Sequence, residues 1–125
     1  MNAKILVVED DLDIMRILRH ALEGAGYQVI SAYGGEDAIR KVKVQKPDLV
    51  LTDLAMPKVS GVEVIEVIKT DPETQHIPVI AVTAHTWDGI AQSAGQVGCD
   101  GYISKPFSAR QIIQEVARHL PPTNE

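Results

Sequence analysis

Short apolar runs alternate with helix-like segments along the whole chain, and this alternation constrains the fold more than any other feature. Five runs rich in β-branched residues and bounded by polar or turn residues lie at Ile5–Val8, Gln28–Ser31, Leu49–Thr52, Val79–Val82 and Tyr102–Ser104. The first, third and fourth are apolar at successive positions, which is typical of strands buried on both faces. Strict alternation with short connections predicts an α/β doubly wound fold, in which helices cover both sides of a five-stranded parallel sheet.

The segments between these runs show the spacing of amphipathic helices. The first has the clearest apolar stripe, which is composed of Ile14, Ile17, Leu18, Ala21, Leu22 and Ala25. It should end at Gly24-Ala25-Gly26, because glycine commonly terminates helices. The second is predicted from about Glu36 to Val44, and the third ends at Asp71-Pro72. The fourth lies near Trp87 to Gln96, and the fifth begins at Ser108, a suitable N-cap.

Size and composition indicate one acidic domain. The 125 residues carry 17 Asp plus Glu against 12 Lys plus Arg, a net charge of -5 that disfavours direct nucleic-acid binding. The single cysteine, Cys99, cannot form an internal disulfide, and no run is long enough for a signal peptide or a membrane span. We therefore expect a cytoplasmic protein without membrane insertion. Residues 1–120 form the predicted domain and 121–125 a short polar tail, with no effector domain.

Polar side chains follow four of the predicted strands at their carboxyl ends, where open parallel sheets bind ligands. They are Glu9, Asp10 and Asp11 after the first strand, Asp53 after the third, Thr83 after the fourth, and Lys105 with Pro106 after the fifth. These side chains should converge in one crevice.

Crowded carboxylates at neutral pH require raised pKa values or a cation. Mg²⁺ prefers oxygen ligands, so Asp10 and Asp53 could hold it, with Glu9 acting through water. Lys105 would add a positive charge opposite, an arrangement suited to phosphoryl transfer. Asp53, at the end of the central apolar strand, is the best-placed nucleophile, because a carboxylate can form an aspartyl phosphate.

Simpler interpretations exist for each residue taken singly. Asp11 and Asp13 most simply cap the following helix. Thr83 alone would be an ordinary β-branched strand residue, and Lys105 alone a solvated surface charge. The combination favours a site, because residue types suited to one reaction rarely occur by chance at the ends of four different strands.

Four motifs in order resemble the receiver domain of response regulators in two-component signalling. They are Glu9-Asp10-Asp11, the segment LTDLAMP at 51–57, Thr83-Ala84, and the segment YISKPF at 102–107. The resemblance covers essentially the whole chain, which is similar in particular to single-domain receivers of the chemotaxis and cell-cycle kind. It implies a flavodoxin-like (βα)5 fold with strand order 2-1-3-4-5.

The resemblance also implies the roles of the acidic residues. Asp53 would be the phosphoacceptor, Asp10 and Asp53 would bind Mg²⁺ directly, and Glu9 would assist. The backbone carbonyl of Ala55 would complete the metal site. Ala55 and His85 match variable positions that tune the lifetime of the phosphoryl group.

The resemblance implies a switch on the other side of the crevice. Thr83 and Lys105 would hold phosphoryl oxygens, and the peptide bond before Pro106 would be cis. Thr83 and Tyr102 would move on phosphorylation and change the face formed by the fourth helix, fifth strand and fifth helix. Such a protein accepts a phosphoryl group and assists its own phosphorylation and dephosphorylation, and it is not classed as an enzyme.

The implied partners are proteins. A histidine kinase or histidine phosphotransfer protein would dock on the first helix, where Leu12 and Met15 are expected to lie off the core stripe and to contact it. A downstream target would bind the switch face, through which receivers of this family often dimerise on activation. Trp87 is predicted to contribute to that output surface, although a half-buried residue at the start of a helix is the alternative.

Three other functions fit parts of the pattern. A haloacid dehalogenase-type phosphatase also uses an aspartate and Mg²⁺, but it needs a second aspartate where Ala55 stands. A flavin-binding module would need glycines or hydroxyls in the acidic first loop. An interaction scaffold that is never phosphorylated remains, and Asp53→Asn would leave its function intact.

Overall fold

The structure, a computed structural model, describes residues 2–84 and 89–120. Within this part, the strands are β1 (Lys4–Val8), β2 (Gln28–Ala32), β3 (Leu49–Asp53), β4 (Val79–Thr83) and β5 (Gly101–Ser104). The helices are α1 (Leu12–Gly24), α2 (Gly35–Gln45), α3 (Gly61–Thr70), α4 (Gly89–Gln96) and α5 (Ala109–His119). All strand pairs are parallel, and the sheet order is β2-β1-β3-β4-β5. The predicted fold class and strand order are confirmed.

Two hydrophobic layers enclose the sheet. Because successive strand residues point to opposite faces, Leu6 and Val8 pack with α2, α3 and α4, whereas Ile5 and Val7 pack with α1 and α5. Every residue of β3 and β4 is buried. Of the four residues of the edge strand β5, only Ile103 is buried. The continuous apolar runs thus mark the strands covered on both sides.

Local hydrogen bonds fix the helix ends that the sequence predicts. The Asp11 carboxylate accepts from the backbone N–H groups of Asp13 and Ile14, so Asp11 is the N-cap of α1. Ser108 caps α5 in a reciprocal arrangement with Gln111. α2 ends at Gln45, two residues before Pro47, and its C-cap Lys46 adopts a left-handed conformation with φ 48°. The interpretation of Asp11 and Ser108 as helix caps is therefore confirmed.

The buried face of α1 differs from the expected stripe. Met15, expected off the core stripe, is only 2% exposed, whereas Ile17, expected on it, is 55% exposed. Leu12 does point outward, with 65% of its surface exposed. Leu18, Ala21 and Leu22 belong both to the expected stripe and to the buried face, so periodicity alone could not decide which residue lies at its edge. The expectation for Met15 was wrong because the buried face of α1 is shifted toward Met15 and away from Ile17.

The described part of the chain contains no helix long and apolar enough to cross a membrane. Two residues singled out in the sequence, His85 and Trp87, lie outside the described residues.

Candidate functional site

Side chains from the ends of β1, β3 and β5 meet at the carboxyl edge of the sheet. Carboxylate oxygens of Glu9, Asp10 and Asp53 all lie within 4.8 Å of one another. The Lys105 ammonium nitrogen is 3.5 Å from Asp53 Oδ2 and 3.7 Å from Glu9 Oε1. The structure thus brings together four of the residues selected from the sequence, as the rule for parallel sheets predicts.

Asp53 occupies the most constrained position in this group. It is the last residue of β3, which lies between β1 and β4 in the centre of the sheet, and its side chain is buried. Its Oδ1 accepts a hydrogen bond of 3.3 Å from the backbone N–H of Ala55. Ala55 itself is exposed at the rim. The carboxylate is therefore held from the protein side, and its other oxygen, Oδ2, lies nearest Lys105.

Gly61 is a contributor to this geometry that the sequence reasoning missed. Its N–H donates to the carbonyl oxygen of Leu54 at 3.0 Å. A β-carbon at residue 61 would lie 2.0 Å from the carbonyl oxygen of Asp53, far inside van der Waals contact. Only glycine lets the start of α3 approach the end of β3 so closely. The available sequence signal was a glycine directly after the capping serine, Ser60, in the segment that follows the central strand.

Glu9 is the electrostatically strained member of the site. Burial, at 1% exposure, and then the negative charge of Asp53 raise its pKa from 4.5 to about 7. A hydrogen bond from the Asp11 N–H to Oε2, and the Lys105 charge, oppose this rise without cancelling it. No described residue gives Oε1 a hydrogen bond. A buried carboxylate with an unsatisfied oxygen beside a second carboxylate calls for a proton or a cation.

The oxygen donors at this edge fit a hard divalent cation. Glu9 and Asp53 form the buried side of the cluster, whereas Asp10 is exposed and closes it toward solvent. Mg²⁺ takes one or two protein carboxylates and keeps several waters, so a cluster with one open side suits it. The arrangement can hold such a cation and present a carboxylate oxygen of Asp53 to a reactant.

The neighbouring strand ends carry the remaining predicted residues. Thr83 is the buried last residue of β4, and Lys105 N–H donates to its carbonyl oxygen at 2.8 Å. The Lys105–Pro106 peptide bond is cis. Tyr102 lies in β5 beside Ala81 and is 36% exposed. Burial, followed by the charge of the Cys99 thiolate and a hydrogen bond with its side chain, raises the pKa of the Tyr102 hydroxyl.

Comparison with known families gives a match over nearly the whole chain. The family model described as "Response regulator receiver domain" matches residues 5–117. The polar-differentiation response regulator DivK of Brucella anthropi is 39% identical over 120 residues, which cover 96% of this chain and 98% of that protein. The chain therefore spans nearly the full length of this relative.

Solved structures give the same result. The chemotaxis protein CheY4 of Vibrio cholerae superposes with a TM-score of 0.91 at 28% identity, covering 96% of this chain and all (100%) of that one. The receiver domain of the sensor histidine kinase PA1611 of Pseudomonas aeruginosa gives a TM-score of 0.89 at 27% identity, covering 95% and 98%. That structure contains a magnesium ion coordinated in its active site cleft.

Proposed function

Since the chain belongs to the response regulator receiver family, we propose that it is a phosphorylation-dependent switch in two-component signalling with Asp53 as its phosphoacceptor. The observation that carries the proposal is the cluster at the sheet edge, where Glu9, Asp10 and Asp53 lie within 4.8 Å of one another beside Lys105. Membership of this family argues against the phosphatase and flavin alternatives. It leaves the unphosphorylated scaffold as the alternative to test.

The proposed metal is Mg²⁺. Asp10 and Asp53 bind it directly in this proposal, Glu9 assists, and the backbone carbonyl of Ala55 completes the set. The unsatisfied Glu9 Oε1 and the magnesium ion in the cleft of the PA1611 receiver support this assignment. When bound, Mg²⁺ would neutralise charge on the carboxylates and on the incoming phosphoryl group.

The proposed reaction moves a phosphoryl group from a phosphohistidine to Asp53. A carboxylate oxygen of Asp53 attacks phosphorus, the P–N bond breaks, and the histidine nitrogen leaves with the bonding electron pair and takes up a proton. Lys105, 3.5 Å from Asp53 Oδ2, and the Thr83 hydroxyl hold phosphoryl oxygens. Attack of water on the same phosphorus later returns the free carboxylate and inorganic phosphate. Ala55 and His85 tune the rate of that step.

The proposed phosphodonor, a histidine kinase or a histidine phosphotransfer protein, docks on α1. Leu12 is exposed there and lines a groove of about 450 Å³ together with Arg16 and Tyr33. Leu12→Glu should slow transfer from the cognate donor without slowing phosphorylation by acetyl phosphate. Val44→Glu is the matched control, because Val44 is equally apolar and exposed but lies on α2 in the opposite layer. Equal slowing by both variants would contradict docking at α1.

The proposed output passes through the face formed by α4, β5 and α5. Its central residue is Tyr102, which moves together with Thr83. A downstream protein, or a second copy of the chain after activation, binds there. The match to DivK, which covers 98% of that protein, supports a receiver at residues 1–120, and the proposal places it in the cytoplasm.

The test is intact-mass measurement after incubation with acetyl phosphate, with and without Mg²⁺. We expect a Mg²⁺-dependent gain of one phosphoryl group in the wild type and none in Asp53→Asn. Asp13→Asn is the matched control, because that aspartate is exposed on α1 and should still leave Asp53 reactive. A gain by Asp53→Asn equal to that of the wild type would refute the phosphoacceptor assignment. The absence of any gain, both with acetyl phosphate and with a panel of phosphorylated kinases, would favour the scaffold.

A further inference from the structure

The side chain of Tyr102 lies against a glycine on the neighbouring helix. A β-carbon built on Gly95, the seventh residue of α4, would lie 2.7 Å from the Tyr102 hydroxyl oxygen. β-carbons in proteins essentially never approach another heavy atom closer than 3.0 Å. A β-carbon at residue 95 would therefore push the Tyr102 hydroxyl away from its present position by at least about 0.3 Å.

No backbone requirement accounts for the glycine. Among the described glycines, positive φ angles occur at Gly26 and Gly98, so Gly95 adopts a conformation open to any residue. It lies inside a helix, where alanine would favour the helical state. What distinguishes the position is the space that it leaves for Tyr102.

We propose that Gly95 is a positioning residue, whose missing side chain forms a niche that holds Tyr102 in its outward position before phosphorylation. The inference rests on the proposed function. In that function, the more stable Tyr102 is in the niche, the less readily the α4-β5-α5 face changes. Tyr102 pairs with Ala81 on β4, two residues before Thr83 at the end of that strand. A side chain at residue 95 raises the free energy of the niche position, so the tyrosine leaves it before any phosphoryl group arrives.

The experiment is NMR measurement of the Tyr102 χ1 rotamer populations in the unphosphorylated protein, with tyrosine labelled at the β-carbon. In Gly95→Ala, the population of the niche rotamer relative to the others should fall about tenfold, as expected for one overpacked methyl group. The other two tyrosines, Tyr27 and Tyr33, serve as internal references. Gly24→Ala is the matched control, because a β-carbon at that helical glycine meets no atom within 4 Å.

A second variant distinguishes a clash with the Tyr102 hydroxyl from a general effect of the substitution on α4. Tyr102→Phe removes the hydroxyl oxygen that a β-carbon at residue 95 would meet. In that background, Gly95→Ala should leave the χ1 populations of the phenylalanine unchanged. An unchanged Tyr102 in Gly95→Ala, or an equal shift with tyrosine and phenylalanine, would overturn the proposal.

The niche and the switch can fail separately. Each variant is also incubated with acetyl phosphate, and its intact mass is measured. If the rotamer shifts but the wild-type Asp53 never gains a phosphoryl group, the proposed function fails and with it the regulatory role of the niche. If Asp53 is phosphorylated and the rotamer does not shift, only the niche is refuted.

Discussion

The raised pKa of Glu9 makes stability depend on pH in a direction opposite to that of an ordinary salt-bridged carboxylate. Its pKa of about 7 in the folded protein lies above the ordinary value of 4.5 that the unfolded chain should show. Between these values the folded state binds more protons, so the free energy of unfolding falls as pH rises. The full difference corresponds to roughly 3 kcal/mol, at about 1.4 kcal/mol for each pKa unit.

The variant Glu9→Gln isolates this contribution. It keeps the shape of the side chain and removes the charge that burial disfavours. Without Mg²⁺, we expect wild-type stability to fall by about 3 kcal/mol between pH 4.5 and pH 8 relative to Glu9→Gln. Saturating Mg²⁺ should reduce the difference, because a ligand that binds only the folded state at 100 times its Kd adds about 2.7 kcal/mol.

Urea unfolding in EDTA at several pH values, followed by circular dichroism, measures the effect. Glu66→Gln is the control, because that glutamate is exposed on α3 and should follow the wild-type curve. Asp53→Asn removes the second cause of the shift, so the transition should move to lower pH but stay above 4.5, since burial remains the larger cause. Parallel pH curves for the wild type and Glu9→Gln would refute the reasoning.

Three further substitutions test other parts of the structure by the same unfolding assay. Gly61→Ala should cost about 1–3 kcal/mol and weaken Mg²⁺ binding, whereas Gly24→Ala should do neither. Equal effects of the two variants would contradict the close approach of α3 to β3. Met15→Ala should cost about 2–5 kcal/mol and Leu12→Ala under about 1 kcal/mol, and the reverse order would contradict the orientation of α1. Lys69→Met should cost about 2–3 kcal/mol, because this mostly buried ammonium donates to the Ile77 carbonyl and pairs with the Asp100 carboxylate, both at 2.8 Å. An unchanged midpoint would show that these two contacts together are unimportant for stability.

The sequence predicted the sheet well because burial on both faces leaves a signal in consecutive residues. Leu49–Thr52 and Val79–Val82 could be assigned without a structure, since few other elements are apolar at every position. The order of the strands in the sheet could not be predicted in this way. Periodicity says nothing about which strands are neighbours, so the order came from the family resemblance alone.

The site was predictable where it depends on topology. Carboxyl ends of parallel strands meet, so Glu9, Asp10, Asp53 and Lys105 could be brought together before any distance was known. Contacts between helices and strands were not predictable. The roles of Gly61 and Gly95 depend on how closely another backbone or side chain approaches, which is a property of packing that local sequence does not encode. The orientation of α1 failed for a related reason, because two apolar stripes were available.

The absence of a side chain at Gly61 lets α3 pack closely against the end of β3. The end of β3 has α3 packed closely against it and a strand on either side, so we expect it to move little when charge is added there. The edge strand β5 buries one residue in four and yields more easily. A structural change that starts at the central strand of such a sheet is accommodated most easily at its less buried edge strand. We therefore expect charge added at Asp53 to displace β5 more than β3, whether or not a partner is bound.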